Sequence, residues 1–118
     1  MKLIGKKSKD LDSISLYLKL HKFNKGYLLL VSDKEEMGIG NVSLGTPTNI
    51  EEMKTTSSSY RLFGVDKSYL SKILVERAAN VLKEPVLLLL FLKTKKREEE
   101  LAKPLIQILD ELLDKCEQ

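Results

Sequence analysis

The stretch "EPVLLLLFLKTKKREEE", residues 84–100, runs without a polar residue from Val86 to Leu92 and then turns abruptly to dense charge. Pro85 precedes the run and Lys93 closes it. A membrane-spanning helix needs about 20 apolar residues, so the run is far too short to cross a bilayer. A buried β-strand fits its length, and Val and Phe suit that conformation. An apolar run without alternation marks a strand covered on both faces. The question it sets is what supplies the second cover.

Working outward, Ser13–His21, "SISLYLKLH", alternates strictly, with Ile14, Leu16, Leu18 and Leu20 on one side and Ser13, Ser15, Tyr17, Lys19 and His21 on the other. Period two predicts a half-buried strand. "FNKGY" supplies turn chemistry through Asn24 and Gly26, and "YLLLVS", Tyr27–Ser32, is a second continuous apolar strand, so the pair predicts a β-hairpin. "GIGNVSLG", Gly38–Gly45, reads as a short Gly-spaced strand. Residues Thr46–Ser59, rich in Thr and Ser, predict a long loop, and a strand resumes near Tyr60–Phe63.

From Asp66, a candidate N-cap, the period lengthens: Tyr69, Leu70, Ile73, Leu74, Ala78, Val81 and Leu82 fall on one helical stripe that Pro85 ends. A last helix is expected over roughly Lys96–Lys115. Glu98, Glu99 and Glu100 lie at its positive end, and Leu101, Leu105, Ile108, Leu109, Leu112 and Cys116 form its buried stripe. Pro104 predicts a kink there or a helix start just before it. The expected fold is α+β: a single domain over residues 1–118, with an antiparallel sheet of about five to six strands and two α-helices on one face. Two helices cover one face of such a sheet, and nothing else in the chain is left for the other. A bare apolar face of that size usually marks an interface. The expectation is therefore a dimer formed through the sheets, with edge-to-edge continuation as the other arrangement. The residues singled out for the dimer interface are Leu28, Leu30, Leu87, Leu89 and Phe91, and the alternation leaves open the other face of the last strand, Leu88, Leu90 and Leu92, as the one that meets the partner.

The composition, 42% hydrophobic and 31% charged with a net charge of +3, suits a soluble folded chain. A lone Cys116 and no long apolar N-terminal stretch point to a reducing, cytoplasmic setting. Catalytic, cofactor and metal sites are all expected to be absent. His21 and Cys116 are the only soft ligands and lie on distant elements, and no serine sits in a G-x-S-x-G elbow. "GIGNVSLG" has Ser43 where a dinucleotide fingerprint needs its third glycine, and no helix follows. Asn41 matches a glycosylation sequon that a cytoplasmic chain does not expose to that machinery. Two basic clusters, Lys6, Lys7 and Lys9, then Lys93, Lys95, Lys96 and Arg97, define the alternative of a nucleic-acid-binding module, although no aromatic pattern accompanies them. A small dimeric signalling scaffold is a further alternative.

"KEEMGIGNVSL", Lys34–Leu44, resembles the strand pair of the proteasome assembly chaperone 3 family, where Met-Gly precedes Val-Ser-Leu. "RLFGVDKSYLSKILVERAANVLKEPVLLLLFLKTKKREEELAKPLIQILDEL" is similar to that family's C-terminal half, with "RAANVL" and "PVLLLLFLK" at matching distances. The resemblance implies an archaeal-type relative of the chaperone 3 and chaperone 4 proteins. Those proteins pair by stacking sheets and support assembly of the 20S proteasome α-ring without catalysis. It implies proteasome α-subunits as partners, together with a second copy or a related chaperone subunit, and no cofactor. Partner contacts are then expected through loops and charged helix edges, with Lys95, Lys96 and Arg97 as the candidates.

Overall fold

The computed structural model describes residues 1–47, 56–61 and 67–116 of the chain. Six strands, β1 (Lys2–Leu11), β2 (Ile14–Lys22), β3 (Tyr27–Ser32), β4 (Asn41–Thr46), β5 (Thr56–Arg61) and β6 (Val86–Phe91), form one sheet in the order β1-β2-β3-β6-β4-β5. Two helices, α1 (Ser68–Leu82) and α2 (Glu98–Cys116), complete the α+β fold. The sheet is mostly antiparallel, and the single parallel ladder joins β3 to β6. The chain leaves β3, builds β4, β5 and α1, and returns to insert β6 between β3 and β4. A strand apolar on both faces carries no local mark of its direction, so this one departure from a wholly antiparallel sheet was not readable from its residues.

Both ends of that parallel pair are fastened. At one end the Tyr27 amide donates to the Pro85 carbonyl at 2.9 Å, and the Gly26 amide donates to Glu84 Oε1 at 2.9 Å. Lys22 Nζ reaches both oxygens of Glu84, at 2.8 and 3.0 Å. Gly26 has φ +103°, and a Cβ there would meet the Pro85 carbonyl oxygen at 2.9 Å, so the turn requires glycine. At the other end Asp33 Oδ2 accepts from the amides of Lys93 and Thr94, at 3.0 and 2.7 Å.

Lys22 and the Gly26 amide hold the Glu84 carboxyl below its ordinary pKa. A carboxyl depressed on folding adds stability above its unfolded pKa and loses it as pH falls through the folded value. Replacing Glu84 by Gln is therefore expected to flatten the acid limb of a stability-against-pH curve while leaving its slope near neutrality unchanged. Chemical denaturation at a series of pH values checks this.

The helices share one face. α1 packs on β4, β5 and β6, and α2 on β1 and β2. The core between helices and sheet is built from Leu16, Leu18 and Leu20 of β2, Leu29 and Val31 of β3, and Val86, Leu88 and Leu90 of β6. Leu70, Leu74, Val75, Leu101, Leu105, Leu109 and Leu112 of the helices close it. α1 lies so close to the sheet that a Cβ on Gly45 would meet the Val75 carbonyl oxygen at 2.8 Å. The α1 stripe is rotated from the expected one: Tyr69 is 64% exposed, whereas Ser71, Val75 and Ala79 are buried. The reason is polar. Ser71 hydrogen-bonds Ser43 on the sheet, and that pairing lets a hydroxyl take an interior position.

The amide of Lys67 donates to Asn41 Oδ1 at 3.2 Å and that of Leu70 to Glu98 Oε2 at 2.6 Å, so residues distant in sequence cap α1. The expected N-cap Asp66 and the side chain of Cys116 lie outside the described residues. α2 begins at Glu98 and carries Pro104 inside it, so the helix starts well before the proline. The loop expected over Thr46–Ser59 is shorter than that. β4 continues to Thr46 and β5 begins at Thr56, pairing residue for residue with β4. The strand expected over Tyr60–Phe63 correspondingly ends at Arg61, and residues 62 and 63 lie outside the described ones. β1, which has no apolar alternation, was not expected as a strand at all.

Candidate functional site

Side chains alternate across a strand, so the register fixes which residues share the sheet face away from the helices. β3 pairs Leu28 with Leu87 and Leu30 with Leu89 of β6, and β6 in turn pairs Leu87 with Leu44 and Leu89 with Val42 of β4. Leu28, Leu30, Leu87, Leu89, Val42 and Leu44 thus form one contiguous apolar strip, with Phe91 at its end. The five residues expected at an interface, Leu28, Leu30, Leu87, Leu89 and Phe91, are brought together on this outer face and are all half-buried. Their neighbours Val86, Leu88 and Leu90 point into the core and are fully buried.

Val42 and Leu44 join the strip although the sequence reading did not single them out. β4 is inverted relative to an ordinary surface strand. Its helix-facing side carries Asn41, Ser43 and Gly45, all buried, while Val42 and Leu44 point outward, Leu44 at 46% exposure. The inward positions are small or polar because α1 approaches closely and because Asn41 and Ser43 hydrogen-bond to it. That explains the inner side.

The loop between β3 and β4 closes one end of the strip. Ser32 Oγ donates to the Glu36 carbonyl at 3.0 Å and accepts from the Lys34 amide at 3.0 Å. Gly38 lies against the Phe91 ring so closely that a Cβ there would come within 2.8 Å of it, and Lys93 Nζ lies 5.3 Å from the ring centroid. Phe91 is therefore partly covered by its own chain, whereas Leu87 and Leu89 are not flanked by that loop.

Toward β1 and β2 the same face becomes polar. Lys6 of β1 pairs with Lys19 of β2, Ser8 with Tyr17, and Leu3 with His21. An open depression of about 350 Å³ lies there, lined in part by Lys6, Tyr17, Lys19 and Glu35. The first basic cluster is split between the two faces of the edge strand. Lys7 reaches Glu111 at 3.9 Å and Lys9 reaches Gln107 at 3.3 Å, both on α2, while Lys6 faces outward. In the second cluster Lys96 Nζ lies 3.9 Å from Asp12 and Arg97 Nε lies 3.7 Å from Glu99, while Lys95 is exposed. Lys95, Lys96 and Arg97 sit together just before α2, where the three glutamates follow. The first cluster is thus divided between the two faces of β1, and in the second Lys96 and Arg97 each have an acidic neighbour. Lysines along β1 also blunt that sheet edge against strand addition.

Among the described residues no group of three His, Cys, Asp or Glu side chains is placed to hold a metal ion. His21 lies on the outer face beside Leu28, its register partner. No described helix is long and apolar enough to cross a membrane.

The class so defined is a small α+β domain whose mostly antiparallel sheet is covered by helices on one face and carries on the other an apolar strip that neither helix covers. No family model and no curated protein matches the sequence. Among solved structures, a chain from the crystal structure of a novel chaperone complex for yeast 20S proteasome assembly has a similar fold. Its TM-score is 0.56 at 14% sequence identity, and the match covers 96% of this chain and 92% of that one. At that identity the likeness is one of fold, and it extends over nearly the whole of both chains.

Proposed function

We propose that this protein is a non-enzymatic assembly chaperone. It pairs through its outer sheet face with a second copy or a related chaperone subunit, and the pair supports assembly of the 20S proteasome α-ring by holding α-subunits. The single observation that supports the pairing is the inversion of β4, which turns Val42 and Leu44 outward to complete an apolar strip on the face away from both helices. The fold shared with a chain of a yeast proteasome assembly chaperone complex supports the class of function, as does the sequence resemblance to the chaperone 3 family.

Burial of such a strip stabilises association by about 25 cal/mol per Å² before the ordering costs of binding are subtracted. The α-subunit contacts are assigned to Lys95, Lys96 and Arg97, which lie off the sheet face and so stay accessible when two sheets stack. Recombinant α-subunits provide the test. The protein is expected to co-purify with one or more of them and to accelerate ring assembly. Reversing all three charges to Glu is expected to weaken that capture at least about tenfold without changing self-association, since phased rim charges act mainly on encounter and partner choice. Failure to bind any α-subunit, with the pairing intact, would remove the proteasome assignment.

A further inference from the structure

On the β1–β2 half of the outer face the register sets Lys6 opposite Lys19 and, one row further along, Ser8 opposite Tyr17. These four residues and Glu35 line the open depression of about 350 Å³. We infer that Lys6, Lys19, Ser8 and Tyr17 form a subsite for the phosphate group of a small organic ligand. The subsite is independent of the pairing proposed above, since it is built within one chain.

All four donors are unspent. None of these side chains makes an ion pair or a hydrogen bond among the described residues, whereas their neighbours do: Lys7 with Glu111, Lys9 with Gln107 and Ser15 with Asp10. Like charges directly across two strands repel, so the Lys6–Lys19 row is unfavourable as it stands. An anion between the two ammonium groups replaces that repulsion with two charge-assisted hydrogen bonds. The hydroxyl row lies two residues away along the strands, about 7 Å. A tetrahedral phosphate offers oxygens to both rows, whereas a planar carboxylate is matched by the lysine row alone. Its charge near −2 at neutral pH also balances two lysines.

The surroundings set the size of the ligand. Lys7 and Lys9 turn to α2, so the basic row does not extend into a track for a chain of phosphates. The depression lies at the lower end of the range of small-molecule sites, about 300–1,000 Å³, which leaves room for an organic group beside the half-buried Tyr17. Glu35, exposed on the loop after β3, lines the same depression without coming within ion-pair distance of either lysine. Its carboxylate opposes an incoming anion, so it weakens the subsite and removing its charge strengthens it.

Amide spectra of the isotope-labelled full chain, titrated with inorganic phosphate and separately with phenyl phosphate at constant ionic strength, test this. Saturable shifts are expected at the amides of Lys6, Ser8, Tyr17 and Lys19, in the low-millimolar range. Lys6→Gln and Lys19→Gln should each weaken binding at least about tenfold, the effect of losing one charged hydrogen bond. Glu35→Gln should tighten it by about threefold, as expected for one exposed charge. Phenyl phosphate should bind more tightly than inorganic phosphate, and equal binding would overturn the organic group and assign the free ion. Shifts that rise without saturation, or that spread equally to the exposed Lys25 and Lys95, would overturn the subsite. Lysine variants that bind like the unsubstituted chain would do the same.

Discussion

Replacing Leu89 by aspartate is expected to turn a dimer into a folded monomer. Leu89 lies at the middle of the outer strip, beside Leu30 and Val42, and is half-exposed in the single chain. In the monomer the new carboxylate stays in water, and the fold loses only cross-strand contacts worth about 0.5–1 kcal/mol. In a stacked pair the same carboxylate is buried against apolar side chains in both copies. Burying an unpaired ionised group costs well over ~3 kcal/mol, which corresponds to a loss of association beyond about 100-fold. Sedimentation velocity at micromolar concentration should report the monomer, and far-ultraviolet circular dichroism should be unchanged. A Leu89→Asp protein that still sediments as a dimer places the interface elsewhere.

One residue earlier the expectation inverts. Leu88 is fully buried between β6 and the helices. Replacing it by alanine removes buried methyl groups and leaves a cavity that surrounding leucines fill only in part, a loss of about 3 kcal/mol. Because a domain of this size is stable by only about 5–15 kcal/mol, such a loss is a large fraction of the whole. The midpoint of urea unfolding should fall sharply, measured at a fixed protein concentration because dimerisation itself contributes to stability. Association of the fraction still folded should be nearly unchanged. Leu88 and Leu89 are chemically identical, so opposite outcomes at the two sites would isolate which face does which work. If Leu88→Ala dissociates the dimer while stability holds, the assignment of inner and outer faces is wrong.

How much of this could be read from the residues follows from where local pattern reports on environment. β2 was legible because its alternation is strict and its inner side is wholly Leu and Ile. That Leu87, Leu89 and Phe91 share one face and Leu88, Leu90 and Leu92 the other was legible from alternation, but which of the two sets turns away from the helices was not, because both are wholly apolar. The β4 contribution was hidden. The stretch was readable as a strand, but its glycines leave no apolar alternation to mark a face, and its inner residues are polar because their partners, Ser68 and Ser71, come from a helix far along the chain.

β1 was hidden for a related reason. Its inward lysines, Lys7 and Lys9, reach acceptors on α2 across the edge of the sheet, so no apolar alternation marks the strand. Its pairing with β2 is a long-range fact. The same holds for the insertion of β6 beside β3, which the turn residues Glu84 and Gly26 secure only once the two ends meet. Tyr69, placed on the buried stripe by hydrophobicity, gave way to Ser71 because a hydroxyl with a buried partner outcompetes an aromatic ring that remains well solvated in the helix.

The pairing of two sheets through the outer strip is the central claim, and the mass of the unmodified protein in solution tests it most directly. Sedimentation equilibrium at micromolar concentration is expected to give twice the chain mass of 13.4 kDa, about 27 kDa. A single species at 13.4 kDa across that range would contradict the pairing of two copies.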